Sequence, residues 1–190
     1  MEHSFYADLK FEKEDFNTKK ISKGIYEACS FVDCDFSESD ISEIKFVECI
    51  FVRCNLSLAK ILKTGFQEVN FTECKLLGLH FDDCDSFNIS FEFNKCNLNH
   101  SSFYGLEIKN TDFKSCNLQE TDFVESNISG SLFDNCELKG ALFENTNAES
   151  TDFSTAFNYS INPEINKISK AKFSINGLPG LLHKYNIDIV

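Results

Sequence analysis

The chain has 190 residues and a formal net charge of −12, with no Trp, one Met, two Pro, nine Cys and 21 Phe against five Tyr. So acidic a balance excludes nucleic acid and anionic lipid as direct partners and favours a basic surface. No run approaches the ~20 apolar residues of a membrane span, and MEHSFYADLKFEKEDF lacks the apolar segment of a secretory leader. A soluble, cytoplasmic protein with no membrane partner is therefore expected.

Residues 1–25 carry a five-residue beat imperfectly. Phe11, Phe16 and Ile21 are in phase, but Glu14 and Lys19, two places before the last two, cannot line a narrow core. This stretch is predicted to be an N-terminal cap.

From Tyr26 the beat is clean through residue 157: Phe31, Phe36, Ile41, Phe46, Phe51, Leu56, Ile61, Phe66, Phe71, Leu76, Phe81, then, after a slip of two, Phe93, Leu98, Phe103 and on to Phe153. Two before most of these centres stands a small or sulfur-bearing residue; Leu106 is a large exception. A period of five fits neither helix nor flat strand and marks a solenoid in which each pentapeptide makes one side of a coil.

With four sides to a coil, residues 20 apart stack, and two extra residues placed in Cys84–Ser90 carry every column across the slip. The first face becomes an all-Phe ladder: Phe31, Phe51, Phe71, Phe93, Phe113, Phe133, Phe153. The second stacks Cys34, Cys54, Cys74, Cys96, Cys116 and Cys136 two places before Phe36 and five leucines. The third runs Ile41, Ile61, Phe81, Phe103, Phe123, Phe143. The predicted fold is thus all-β, a square β-helix over residues 26–157, with centres and the residues two before them inside and the other three positions facing water.

Residues 158–190 leave the pattern. Ile161, Ile165, Ile168 and Phe173 are expected in a last irregular coil, followed by a short helix capped by Asn176 and carrying Pro179 in its first turn. Leu178, Leu181, Leu182 and Tyr185 give that helix an apolar face, and Ile187 and Ile189 end the chain. These residues either only cover the last coil or also pair with a second copy, making a two-fold end-to-end dimer.

All nine cysteines fall two places before a centre, in rows along the axis rather than around a point. Stacked neighbours ~4.8 Å apart are too wide for the ~3.8 Å Cβ separation of a disulfide. They are predicted to be buried free thiols, with no metal or other cofactor. His80 and His100 lie in exposed slots on different faces without a nucleophile motif, and the filled coil offers no pocket, so no enzyme is expected.

Thr111-Asp112-Phe113, Cys116-Asn117-Leu118, Thr121-Asp122-Phe123 and Thr151-Asp152-Phe153 give the sequence its resemblance to the pentapeptide repeat family, covering about 26–157. That resemblance implies a right-handed quadrilateral β-helix. The tail from Ile161 to Ile168, with its Leu-rich segment and hydrophobic terminus, resembles the topoisomerase-targeting branch of Qnr quinolone-resistance, MfpA and McbG microcin-immunity proteins. This implies a homodimer through the C-terminal tail that binds DNA gyrase or topoisomerase IV as a mimic of duplex DNA. The long loops that Qnr proteins project are missing here. The alternative is a generic structural or regulatory interaction module.

Residues 26–157 hold 23 acidic and nine basic residues, against five of each in residues 1–25. The third and fourth faces are the most negative. Asp40, Glu43, Asp82, Asp83, Asp122, Glu125 and Glu144 on the third, with Glu48 and Glu68 on the fourth, are the candidate partner-binding residues.

Overall fold

The computed structural model describes residues 4–188. Within them the chain winds into a solenoid of about eight turns built on short parallel strands. In chain order these are β1 (Phe5–Ala7), β2 (Lys10–Glu12), β3 (Ile25–Glu27), β4 (Ser30–Val32), β5 (Lys45–Val47), β6 (Ile50–Val52), β7 (Gly65–Gln67) and β8 (Val69–Thr72). Then follow β9 (Phe91–Asn94), β10 (Asp112–Lys114), β11 (Leu132–Asp134), β12 (Asp152–Phe153) and β13 (Lys172–Phe173), with a helix α1 (Pro179–Leu182) closing the tail. The first face is one nine-stranded sheet from β2 to β13, and β1, β3, β5 and β7 make a four-stranded sheet on the fourth face. Elsewhere the coils meet through single parallel bridges such as Asp40↔Lys60 and Asn117↔Glu137. The sheets already include β1 and β2, which pair with β3 and β4 in the register of the later coils.

The interior is filled as the five-residue beat requires. Phe31, Phe51, Phe71, Phe93, Phe113, Phe133 and Phe153 are buried, as are Cys34, Cys54, Cys74, Cys96, Cys116 and Cys136. First-face rings stack nearly parallel, Phe31 on Phe51 at 4.7 Å and Phe113 on Phe133 at 4.8 Å between centroids. Third-face rings meet them edge-on, as Phe113 meets Phe123 at 87°. Both geometries suit the aromatic quadrupole and add about 0.5–1.5 kcal/mol per pair beyond area burial.

The slot two places before each centre does more than save space. Cys54 Sγ donates to the Phe31 carbonyl at 3.3 Å, Cys74 to Phe51 at 3.4 Å and Cys136 to Phe113 at 3.2 Å. Thr121, Thr146 and Thr151 hydroxyls do the same for Leu98, Phe123 and Ile128. Each donor satisfies a carbonyl of the coil before, which water cannot reach. All nine thiols are free and buried. Burial pushes Cys49 up to about 12 and raises Cys84 well above the usual thiol range, with Asp83 adding to the effect on Cys84.

The corners explain the outward positions. An Asp or Asn one place before the centre accepts from the N–H two residues on: Asp35 from Ser37 at 2.8 Å, Asn97 from Asn99 at 3.1 Å, Asp152 from Ser154 at 2.9 Å. This is the Asx turn, which folds the chain out of extended geometry. Two places after the centre the backbone takes a left-handed conformation, as at Glu38, Arg53, Leu58, Gly78, Gly105 and Gly130. The N–H there reaches the next coil, Glu38 to Ser57 and Arg53 to Thr72. That bond, repeated along each edge, offsets the strain of placing ordinary side chains in the left-handed region.

The extra pair of residues enters between Asp85 and Phe91. Gly65 pairs with Asp85 twenty places on, whereas Val69 pairs with Phe91 twenty-two on. Ser86 and Phe87 are turned outward, and the four-stranded sheet stops at β7. Phe91 fills the vacated volume from a slot otherwise held by small residues, its ring 5.1 Å from Phe81 and 5.7 Å from Phe66. Leu106, in the coil that follows, is also buried.

The C-terminal end departs from expectation at two residues. Ile161 is buried and Ile168 and Phe173 are half-buried, but Ile165 is 44% exposed. Asn166 goes inside instead because it holds the donor slot, its Nδ2 reaching the Phe143 carbonyl at 2.8 Å and its Oδ1 accepting from Thr146 N–H. Asn176 caps nothing: it lies within a 3-10 turn, Ile175–Gly177, whose cap is Ser174, with Oγ accepting from Gly177 N–H. Pro179 does sit in the first turn of α1. The segment rides over Tyr159, and a Cβ on Gly177 would lie 1.8 Å from the Tyr159 hydroxyl, so only glycine fits. That hydroxyl is buried and has no hydrogen-bond partner among the described residues.

Ellman's reagent is expected to titrate fewer than about one thiol per native chain and all nine in denaturant. Fast native labelling would contradict the sealed interior. Tyr159→Phe removes an unsatisfied buried hydroxyl and should raise unfolding stability by about 1 kcal/mol in a urea titration.

Candidate interaction surfaces

Each candidate carboxylate sits on an outward position, but their roles differ. Asp40 and Asp122 belong to the Asx turns, accepting from Ser42 N–H at 3.1 Å and Val124 N–H at 2.8 Å. The Ser42 contacts hold Asp40 below the usual carboxylate range. These two are turn-formers first and surface charges second. They also share a column that is not acidic throughout: Asp40 bridges to Lys60, and twenty residues beyond Lys60 a second run bridges His80, Ser102, Asp122 and Leu142 in turn.

Glu43 is paired with Lys23 at 2.6 Å, which lowers its pKa, and Glu125 accepts from the Tyr104 hydroxyl at 2.9 Å. Asp82 lies 3.6 Å from His80 Nδ1. Glu48, Glu68, Asp83 and Glu144 are exposed, with no lysine or arginine in ion-pair distance among the described residues. Glu48 and Glu68 line a shallow depression of about 300 Å³ at the edge between the fourth and first faces together with Asn70 and Glu92. Glu92, which the slip placed in Cys84–Ser90 already sets beside Asn70, belongs to the first face and so was not among the candidates drawn from the third and fourth.

One corner is electrically spent. Lys13, Asp33, Arg53, Glu73 and Lys95 occupy the left-handed position of five successive coils and alternate in sign. Arg53 Nε and Nη2 donate to the two Asp33 oxygens at 2.6 and 2.8 Å, and Lys95 lies 3.5 Å from Glu73. The Arg53 hydrogen bond holds Asp33 below its ordinary range. This file runs across the insertion without a break, and its signal in the sequence was charge alternation at twenty-residue spacing.

An apolar island interrupts the third face. Leu58 and Leu62 are exposed around a depression of about 490 Å³ that also includes Lys60, Gly78 and His80. At the C-terminal end the six tail residues separate. Leu181 packs against the core, whereas Leu178, Leu182, Tyr185 and Ile187 are exposed; Ile189 lies outside the described residues. Glu164 ties the segment down, paired with Lys184 and accepting from the Tyr185 hydroxyl at 2.8 Å. Lys184 foremost, then Tyr185, lowers the Glu164 pKa. Among the described residues no cluster of three or more His, Cys, Asp or Glu has metal-binding geometry, and no helix is long and apolar enough to cross a membrane.

A family model described as a pentapeptide repeat region matches residues 25–93 and 89–153. No curated protein matches the chain. Among solved structures, a trypsin-treated variant of QnrB1, described as a plasmid-mediated fluoroquinolone resistance protein, superposes with a TM-score of 0.65 at 17% identity, covering 98% of this chain and 100% of that one. HetL, a pentapeptide repeat protein involved in heterocyst differentiation regulation from the cyanobacterium Nostoc sp. strain PCC 7120, gives 0.53 at 12% identity, covering 90% and 86%. At these identities the likeness is one of fold.

Glu164→Gln should loosen the tail at neutral pH, with faster hydrogen–deuterium exchange of residues 178–186 and none in 93–153. Because the folded pKa of Glu164 is depressed, the contact it makes is present above the ordinary carboxylate range and lost as pH falls through the lowered value. Unchanged tail exchange in the variant would remove Glu164 as the tether.

Proposed function

This chain belongs to the pentapeptide repeat family, and from that membership we propose that it is an acidic protein rod that binds a type II topoisomerase, DNA gyrase or topoisomerase IV, in place of DNA. The observation that carries the reading is the charge laid along a straight, filled shaft. Residues 26–157 carry a net charge of −14, and six and a half coils at ~4.8 Å span ~31 Å, one charge per about 2.2 Å. Duplex DNA carries one per ~1.7 Å. The likeness to QnrB1, a fluoroquinolone resistance protein, supports the same target class. The rod occupies the positively charged surface that holds the DNA segment, and its effect is to inhibit the enzyme or protect it from a drug or toxin.

The carboxylates assigned to this contact are Glu48, Glu68, Asp82, Asp83, Glu125 and Glu144, with Asp40, Glu43 and Asp122 beside them. The exposed Leu178, Leu182, Tyr185 and Ile187 support a homodimer joined through its tails, doubling the length of the rod. A generic regulatory module is the second reading, favoured by the exposed Leu58 and Leu62, apolar side chains set between Asp40 and Asp83 for which charge mimicry alone has no use.

Reversal of Asp82, Asp83, Glu125 and Glu144 to lysine tests the first reading, since these four leave the Asx turns intact. The expected result is gyrase affinity weakened at least about tenfold, loss of any effect on supercoiling, and a shallower dependence on salt. Undiminished affinity in a folded variant would sink the electrostatic mechanism, and a wild-type chain inert in supercoiling and drug-susceptibility assays would favour the regulatory module.

A further inference from the structure

Among the described residues, β1 and β2 have a neighbour on one side only. In the next coil, Ile25, Ser30 and Asp35 direct their N–H groups back to the carbonyls of Ser4, Leu9 and Glu14. The equivalent donors one coil earlier belong to Phe5, Lys10 and Asp15, and the described residues place no strand beyond them. Two half-buried rings lie at this end: Tyr6 stacks on Tyr26 at 4.6 Å and Phe11 on Phe31 at 4.8 Å, each through one face. Phe5 and Leu9 are exposed beside them. An extended edge of this kind adds a strand readily.

The charge here differs from that of the shaft. Residues 1–25 hold five acidic and five basic residues, against the net −14 of residues 26–157. Two copies therefore repel along their sides but not at this end. The outer strand is also complementary to itself. β2 reads Lys10-Phe11-Glu12, with both charged side chains more than half exposed and 2.5 Å apart. Reversed about its middle residue, that strand presents Glu opposite Lys and Lys opposite Glu.

We propose that the N-terminal coil pairs with that of a second copy, β2 running antiparallel to its counterpart about a two-fold axis through Phe11. Lys10 then faces the partner's Glu12, and Glu12 faces the partner's Lys10. The two Phe11 rings carry the first-face ladder across the junction, since directly opposed residues of an antiparallel pair lie about 4.5–5.5 Å apart. The interface is isologous, as a two-fold dimer requires. It is separate from any association of the tails at the other end, and a chain using both contacts would extend into an open line of copies rather than a closed dimer.

Sedimentation equilibrium of the full chain carrying Leu178→Lys and Leu182→Lys, which silence the tail, isolates this contact. A dimer is expected. Lys10→Glu sets like charges opposite each other at both ends of the strand and should weaken it about tenfold; Glu12→Lys should do the same. An equimolar mixture of the K10E and E12K chains restores opposite charges across the junction and should recover the association. A monomer in the tail-silenced background, a dimer indifferent to K10E, or a mixture no tighter than either variant alone would each overturn the proposal.

Discussion

The carbonyl of each buried centre residue must find a donor inside a shaft that admits no water, and the rest of the structure follows from how it does so. Backbone N–H groups supply part of the answer, as Ala59 does for Leu56 and Leu106 for Phe103. At many sites a side chain two places before a centre of the next coil adds a donor: a thiol in the second-face file, a hydroxyl at Thr121, Thr146 and Thr151, an amide at Asn166. A large apolar residue can also hold the slot, as Leu79, Phe91 and Leu106 do, because a backbone N–H can serve the centre carbonyl: Leu56 accepts from Ala59 N–H at 3.1 Å. Elsewhere a small donor meets the volume and the hydrogen-bonding need together. Eight of the nine buried cysteines donate in this way, from Cys29 to the Tyr6 carbonyl through to Cys136 to that of Phe113.

The same requirement governs where the coil tolerates irregularity. Two extra residues are absorbed between Asp85 and Phe91 because the fourth-face centre is given up there and Phe91 supplies the missing volume. In the last coil the phase survives although its apolar residues are displaced, since Asn166 meets the Phe143 carbonyl and Ile165 does not. Register is held by polar groups as firmly as by phenyl rings.

Charge on the outside divides by task. Aspartates one place before a centre close the Asx turns, and in the Lys13–Lys95 file Arg53 pairs with Asp33 and Lys95 with Glu73 across adjacent coils. Among the described residues a smaller set, Glu48, Glu68, Asp83 and Glu144 included, is exposed and joins no lysine or arginine in an ion pair. A surface of this kind attracts a basic partner through position and salt-sensitive steering rather than through a shaped pocket. The two ends are unlike: the C-terminal one is covered by the segment over Tyr159, while β1 and β2 form the margin of their sheets at the other.

Much of this was legible in the chain alone. Period five, the four-way sorting of Phe, Cys with Leu, and Ile giving way to Phe, and the place of the two-residue slip required no coordinates, because a solenoid makes every contact at a fixed sequence interval. The left-handed corners were also written there, in Gly78, Gly105, Gly130 and Gly140 at one position of the beat, though glutamate and leucine occupying the same position concealed them. Tertiary structure alone decided that Asn166 and not Ile165 enters the core, that Ser174 and not Asn176 caps the following turn, and which carboxylates are free to meet a partner. Those outcomes depend on where a carbonyl or a cation one coil away comes to lie. Residue type names the possible bond, and only the stacked coils bring its two ends together.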